Sequence, residues 1–149
     1  MTTFITGGAG FIGSNFAHYI YDLFEDLVII DKFTYASNIE NLFPLEISIK
    51  RVDLANKSEL ELLFKEFKPK YIFHFAAETH VDNSIENFYP FIESNIIGTV
   101  NLLDLSLKYD VQMFHHISTD EVYGSLSMED DPFDENSPYN PQNPYSASK

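Results

Sequence analysis

The run Gly7-Gly-Ala-Gly-Phe-Ile-Gly13 comes directly after the short, β-branched and aromatic segment Thr2–Thr6, and it constrains the fold more than any other feature. A buried strand that runs into clustered glycines and then into a helical pattern is a tight strand-to-helix turn. Gly8, Gly10 and Gly13 fit G-x-G-x-x-G, while Gly7, Gly10 and Gly13 fit G-x-x-G-x-x-G. Either spacing lets backbone approach a pyrophosphate closely, and the N-terminus of the following helix supplies partial positive charge. A glycine-rich turn without a ligand would look the same in isolation. Asp31 favours the ligand, because it closes the next apolar run, Leu27–Ile30, at about the 20-residue distance expected of a ribose-binding acid. A carboxylate there accepts hydrogen bonds from the adenosine ribose and repels a 2′-phosphate, which points to NAD rather than NADP.

The remaining periodicities extend this start into a repeated strand-and-helix order. Phe11 to Phe24 reads as a helix with Ile12, Phe16, Tyr19, Ile20 and Leu23 on its buried face. Ile47–Val52 alternates as a third strand, after a loop over 32–44 with room for one helical turn. Ser58–Phe67 is amphipathic and stops before Pro69, and Tyr71–Ala77 is a fourth strand. From Tyr89 to Tyr109 the positions Phe91, Ile92, Ile96, Val100, Leu103 and Leu107 repeat at helical spacing, with Gly98 placed for close packing. Val111–Ile117 is a fifth strand. Strands with near-continuous hydrophobicity, alternating with helices, predict an α/β fold: a doubly wound parallel sheet of the Rossmann-like NAD-binding kind, truncated after its fifth strand. The acid- and proline-rich stretch Ser125–Pro144 has no periodicity and reads as a loop.

Composition narrows the function classes. The 149 residues carry a net charge of −14, so long-range attraction to nucleic acid is excluded as a binding mode. With no cysteine there is no disulfide, thiolate metal site or cysteine nucleophile. The five histidines lack ligand spacing, and the acids between Glu129 and Glu135 lack that of a calcium loop, so no metal is expected. No apolar run reaches the roughly 18 residues of a membrane span, and the N-terminus lacks a signal-peptide pattern. A cytoplasmic protein without a membrane partner is expected.

The start Thr6–Gly13, the ending Tyr145-Ser-Ala-Ser-Lys149 and three internal stretches together resemble the extended short-chain dehydrogenase/reductase family. The internal stretches are Asp31-Lys-Phe-Thr-Tyr-Ala-Ser-Asn38, His74-Phe-Ala-Ala-Glu-Thr-His-Val-Asp-Asn-Ser-Ile85 and His115-His-Ile-Ser-Thr-Asp-Glu-Val-Tyr-Gly124. Within that family the likeness is to nucleotide-sugar 4,6-dehydratases, with dTDP-glucose as the favoured substrate and UDP sugars open. The resemblance implies further NAD contacts. Gly7, Gly10, Phe11, Ile12 and Gly13 would meet the pyrophosphate, and Asp31, Lys32, Phe33 and Thr34 the adenosine ribose. Asp53 and Leu54 would flank the adenine. Phe75, Ala76, Ala77, Glu78 and Thr79 would line the middle of the cofactor, with Ser94 nearby and Thr79 also touching the sugar.

The implied reaction removes water from a hexose and leaves a 4-keto-6-deoxy sugar, NAD taking hydride from C4 and returning it to C6. Tyr145 would act as the base at O4, its phenolate favoured by the cation of Lys149 one turn away, and both would touch NAD. Thr119 would hold O4, Glu121 would remove the C5 proton, and Asp120 would protonate the departing C6 hydroxyl. Epimerase and decarboxylase siblings need Thr119, Tyr145 and Lys149 but not the acid pair. A dinucleotide-binding module without catalysis is the reading from another class. Relatives of this family continue well past the position of Lys149, so the chain reads as the N-terminal part of such an enzyme, without its substrate-binding domain and inactive alone. The resemblance implies a homodimer for the longer form.

Overall fold

The computed structural model describes residues 1–149. Five runs rich in β-branched and aromatic residues form the strands β1 (Thr2–Thr6), β2 (Asp26–Asp31), β3 (Ser48–Arg51), β4 (Tyr71–His74) and β5 (Met113–His116). All four neighbouring pairs are parallel, in the order β3-β2-β1-β4-β5. The order reverses between β1 and β4, since β2 and β3 build outward on one side and β4 and β5 on the other. In such sheets the crevice at the carboxyl ends of the strands, at this reversal, is the place for a ligand.

Alternate side chains of the central strands enter two separate cores, which is why their sequences look apolar throughout. Phe4, Val28, Ile30 and Ile72 pack with Leu60, Leu63 and Phe64 of α2 (Lys57–Phe67) and with Leu102 and Leu105 of α5 (Gly98–Lys108). Ile5, Leu27 and Ile29 pack on the other side with Ala17 and Ile20 of α1 (Phe11–Ile20). The Asn56 side chain caps α2 by accepting from Glu59 N, and Lys68, at φ 48°, turns the chain out of the helix before Pro69. No helix is long and apolar enough to cross a membrane.

Two helical faces differ from the pattern read in the sequence. The first helix is α-helical only to Ile20 and continues as a single 3-10 turn, Tyr21–Leu23. Its buried residues are Gly13, Ser14, Ala17 and Ile20, whereas Ile12, Tyr19 and Leu23 are exposed. Of the expected face, Ile20 is buried and Phe16 packs against Phe73 and Phe75, while the small residues Gly13, Ser14 and Ala17 take the positions where α1 leaves the glycine turn. The helix from Tyr89 is interrupted: α4 (Tyr89–Phe91) runs into a π segment, Ile92–Ile97, and then α5. A π turn inserts an extra residue and rotates the rest of the helix about its axis. Ser94, Asn95, Gly98, Asn101, Leu102 and Leu105 therefore face inward, and Ile96, Val100, Leu103 and Leu107 face out. β1 spans its expected run and β2 exceeds it by one residue at each end, whereas β3, β4 and β5 are shorter than the runs Ile47–Val52, Tyr71–Ala77 and Val111–Ile117. Phe75–Ala77 leave the sheet after β4, and a short helix α3 (Val81–Glu86) follows. No regular element occupies 125–143; a last helix, α6, spans Pro144–Ala147.

Candidate functional site

A cleft of about 320 Å³ opens where the strand order reverses. Its walls are the ends of the strands and the segments that leave them: the glycine turn after β1, Asp31, Lys32 and Thr34 at the end of β2, Asp53 and Leu54 after β3, Phe75–Thr79 after β4, and Ile117 and Ser118 after β5. Ser94 of the π segment and Tyr145 and Lys149 at the end of the chain complete it. Gly7, Gly10, Phe11, Ile12 and Gly13 form the floor.

Two glycines are required by geometry. Gly7 has φ 67°, and a Cβ there would stand 2.5 Å from Ala76 N. A Cβ on Gly13 would fall on the carbonyl oxygen of Gly7. The turn is closed by Gly7 N donating to Ile30 O at 2.8 Å and Gly10 N to Gly7 O at 3.2 Å. Gly10 then precedes α1 without any side-chain cap, so the first-turn N–H groups and their partial positive charge are left for the cleft.

Asp31 is 5% exposed and heavily engaged. Its carboxylate accepts from Ala9 N at 3.1 Å, Phe33 N at 2.8 Å and Ser37 Oγ at 2.8 Å. It therefore shapes the turn as well as presenting charge to the cleft. Lys32 reaches across to the opposite wall, where its ammonium meets Glu78 Oε1 at 3.4 Å and donates to Ser94 Oγ at 3.3 Å. Phe33 departs from expectation: it does not line the cleft. With φ 57° its backbone bends over Asp31, and its ring packs into the core on the α1 side. Every other residue expected to touch the cofactor lines the cleft.

Asn95 does not line the cleft but bonds to Glu78 of its wall, a role that was not expected. Its Oδ1 accepts from Glu78 N at 2.8 Å, and its Nδ2 donates to Glu78 O at 2.9 Å and to Ser148 Oγ at 2.7 Å. The only sequence signal was an asparagine, next to Ser94, in a helix that looked like core. Ile30, Ala36, Ser37, Val52, Ile117 and Ser118 also line the cleft without having been singled out for it.

The chain end is seated by its own chemistry. Asn143 and Ser146 form a reciprocal capping box at the start of α6. Tyr145 N donates to Ser84 Oγ at 3.2 Å, and the Tyr145 ring stands edge-on to Phe91. Lys149 lies just past the last helical residue and donates from Nζ to Ile117 O at 2.7 Å. Burial pushes its pKa down to about 8. Tyr145 and Lys149 thus share one cleft.

Thr119, Asp120 and Glu121 sit beside the cleft rather than in it. β5 ends at His116, so the two acids fall on a 3-10 turn, Asp120–Tyr123, and not on an extended strand. Thr119 Oγ1 accepts from Glu121 N at 3.4 Å, and Glu121 Oε2 accepts from Asn143 Nδ2 at 3.0 Å. The second contact ties the acid turn to the helix that carries Tyr145. Among the histidines only His74 is fully buried, bonded to Thr6 Oγ1 at 2.6 Å and Thr99 Oγ1 at 2.8 Å, whereas His18, His80 and His115 are exposed. Burial, with smaller contributions from His116 and Lys149, lowers its pKa to about 3.

A parallel sheet with this strand order, a glycine turn and an acid-closed second strand around one crevice defines a Rossmann-like dinucleotide fold. The chain belongs to the family described as GDP-mannose 4,6 dehydratase, whose model matches residues 4–149. It is 45% identical to a dTDP-glucose 4,6-dehydratase of Neisseria meningitidis serogroup B, covering 97% of this chain and 45% of the relative. A dTDP-glucose 4,6-dehydratase of Mycobacterium tuberculosis is 43% identical, over 100% of this chain and 46% of its own length. Among solved structures, a dTDP-glucose 4,6-dehydratase of Streptomyces venezuelae with NAD bound superposes with a TM-score of 0.93 at 37% identity, covering 100% of this chain and 48% of its own. A UDP-glucose 4-epimerase of Thermus thermophilus in complex with NAD gives 0.92 at 33% identity, over 100% and 47%. The chain spans about half the length of the curated relatives it matches.

Proposed function

We propose that this chain provides the NAD site and the acid–base residues of a nucleotide-sugar 4,6-dehydratase acting on dTDP-glucose. The observation that carries the reading is convergence: the glycine turn, Asp31, Tyr145 and Lys149 come from distant parts of the sequence and line one cleft. The residues fit a dinucleotide, since the uncapped start of α1 suits a pyrophosphate and the Asp31 carboxylate suits ribose hydroxyls. Bound NAD would supply a hydride acceptor for C4 and a hydride donor for C6. Tyr145 takes the O4 proton. Lys149, held by Ile117 O beside it, favours the phenolate with its charge. Thr119 hydrogen-bonds O4, Glu121 removes the C5 proton, and Asp120 delivers a proton to the departing C6 hydroxyl. The close relatives' names support dTDP-glucose, and the Asp120–Glu121 pair favours dehydration over epimerisation. The same reading includes a homodimer, supported by the apolar side chains exposed along α5, and a cytoplasmic location.

Two measurements test this. Titration calorimetry on the chain should show saturable NAD binding that is tighter than NADP binding; no NAD binding overturns the site. In a protein of the relatives' length that carries this chain, Glu121→Gln should abolish exchange of the C5 proton while NADH still forms, and Tyr145→Phe should stop both. Release of keto-deoxy product by Glu121→Gln at the wild-type rate overturns the assigned base. Conversion of UDP-glucose to its 4-epimer, without loss of water, would support the epimerase reading instead.

A further inference from the structure

Lys32 directly follows the carboxylate assigned to the adenosine ribose. A free ammonium at that point would attract a 2′-phosphate and work against the repulsion from Asp31. The ammonium is not free. It lies against Glu78 Oε1 at 3.4 Å and Ser94 Oγ at 3.3 Å, on the wall built by the segment after β4 and by the π segment. We propose that Glu78 is a specificity-determining residue, which holds Lys32 across the cleft and so makes the site reject dinucleotides phosphorylated at the 2′ position.

This rests on the dinucleotide reading of the cleft, and it adds a role for a residue of the facing wall. The pair is partly desolvated, with side chains 29% exposed for Lys32 and 13% for Glu78. It is therefore screened less than a surface pair. Glu78 is also fixed by its own backbone, because Asn95 grips both its N–H and its carbonyl. Tyr35 Oη lies 3.5 Å from the second carboxylate oxygen, so both oxygens face the β2 side of the cleft. Lys32 has a long flexible stem and no other acidic partner within ion-pair distance. Once the Glu78 charge is removed, the ammonium is released to meet a 2′-phosphate near Asp31. Discrimination thus comes from two carboxylates: Asp31 repels the phosphate, and Glu78 withholds the cation that would welcome it.

The test is a double-mutant cycle read as the ratio of the NADP to the NAD dissociation constant, by titration calorimetry on the 149-residue chain. Glu78→Gln preserves size and removes charge, and it should lower the ratio by about tenfold, the scale of one charge-assisted hydrogen bond to phosphate. Lys32→Met alone should move the ratio by less than about twofold, because the wild-type ammonium is already withheld. The double variant should return to the wild-type ratio. An unchanged ratio in Glu78→Gln, or a gain that survives in the double variant, overturns the proposal while leaving the dinucleotide site intact. If Glu78→Gln does not fold, Lys32→Met decides: a tenfold loss of NADP affinity would show that Lys32 already serves the 2′ position. No binding of either dinucleotide to the wild-type chain overturns the site reading, and this inference with it.

Discussion

Gly7 and Gly10 belong to one motif but should fail in different ways when each is replaced by alanine. Gly7 sits at φ 67°, where a Cβ-bearing residue pays ~1–2 kcal/mol for the left-handed conformation. The new Cβ would also stand 2.5 Å from Ala76 N, a backbone atom of the segment that leaves β4. Forcing that segment to move adds ~1–3 kcal/mol, as overpacking does elsewhere. The sum is about 3 kcal/mol of lost stability, or a fall of about 1.5 M in the urea midpoint at a slope of about 2 kcal/mol per molar. Gly10 has φ −76° and ψ 173°, extended backbone open to any residue. Its Cβ would meet Gly7 O at 3.3 Å, a contact relieved by a shift of a few tenths of an ångström, and Ala36 O at an ordinary 3.9 Å. Gly10→Ala should therefore cost under about 1 kcal/mol, mainly through poorer N-capping. Its methyl would instead enter the cleft over the start of α1 and weaken NAD binding by about tenfold or more. Urea denaturation and calorimetric titration of both variants separate the two effects. Equal loss of stability, or a Gly7→Ala variant with an unchanged midpoint, would refute the geometric distinction.

Three further outcomes concern side chains in the same region. His74 stays neutral in the folded chain down to about pH 3, whereas its ordinary value is 6.5, so between these limits the unfolded chain binds the extra proton. Stability should then fall as pH falls, with a slope of up to about 1.4 kcal/mol per unit from this one group. Urea midpoints from pH 7 to 4 should decline less steeply in His74→Gln, and parallel declines refute the assignment. Lys149 is likewise pushed down, to about 8, so the unfolded chain binds more protons above that point and stability should rise as pH climbs from about 8 toward 10.5. Lys149→Met should flatten that rise, and a rise of the same size in the variant would refute the assignment. Asn143→Ala removes the oxygen that receives Ser146 N and the amide that holds Glu121. It should cost about 1 kcal/mol and speed Ser146 amide exchange about fivefold, with partial recovery in Asn143→Ser, and unchanged exchange would show that the cap carries no energy.

What the sequence revealed depended on range. The glycine turn, Asp31 and the five strands were legible because each is encoded by neighbouring residues: a β-branched run, a breaker, a terminal acid. The two misread faces show the limit. Helical spacing put Ile12, Phe16, Tyr19 and Ile20 on one face; Phe16 and Ile20 do pack inward, but Ile12 and Tyr19 are exposed and Gly13 and Ala17 take the inner positions beside them. Extending the stripe from Phe91 by 3.6 residues per turn fails beyond the π segment, whose extra residue leaves no mark on periodicity. Of the residues that family resemblance assigned to the cofactor, only Phe33 stays out of the cleft, its positive φ turning the ring away, while Ile30, Ala36, Ser37, Val52, Ile117 and Ser118 line it with no local signal of their own. Asn95 stayed hidden because its three bonds go to two partners, Glu78 and Ser148, that lie 17 and 53 residues away.

Those three bonds make one carboxamide a mechanical coupling. Asn95 joins Glu78, on the wall that also receives Lys32, to Ser148, one residue from Lys149. The two ends of the cleft therefore do not loosen independently. If the segment carrying Tyr145 and Lys149 lifts away, Asn95 Nδ2 loses its Ser148 partner and the amide is held by its two bonds to Glu78 alone. The backbone proton of Glu78 thus reports on the seating of Tyr145 and Lys149, and its exchange with deuterium offers a clock for a motion that occurs elsewhere in the molecule.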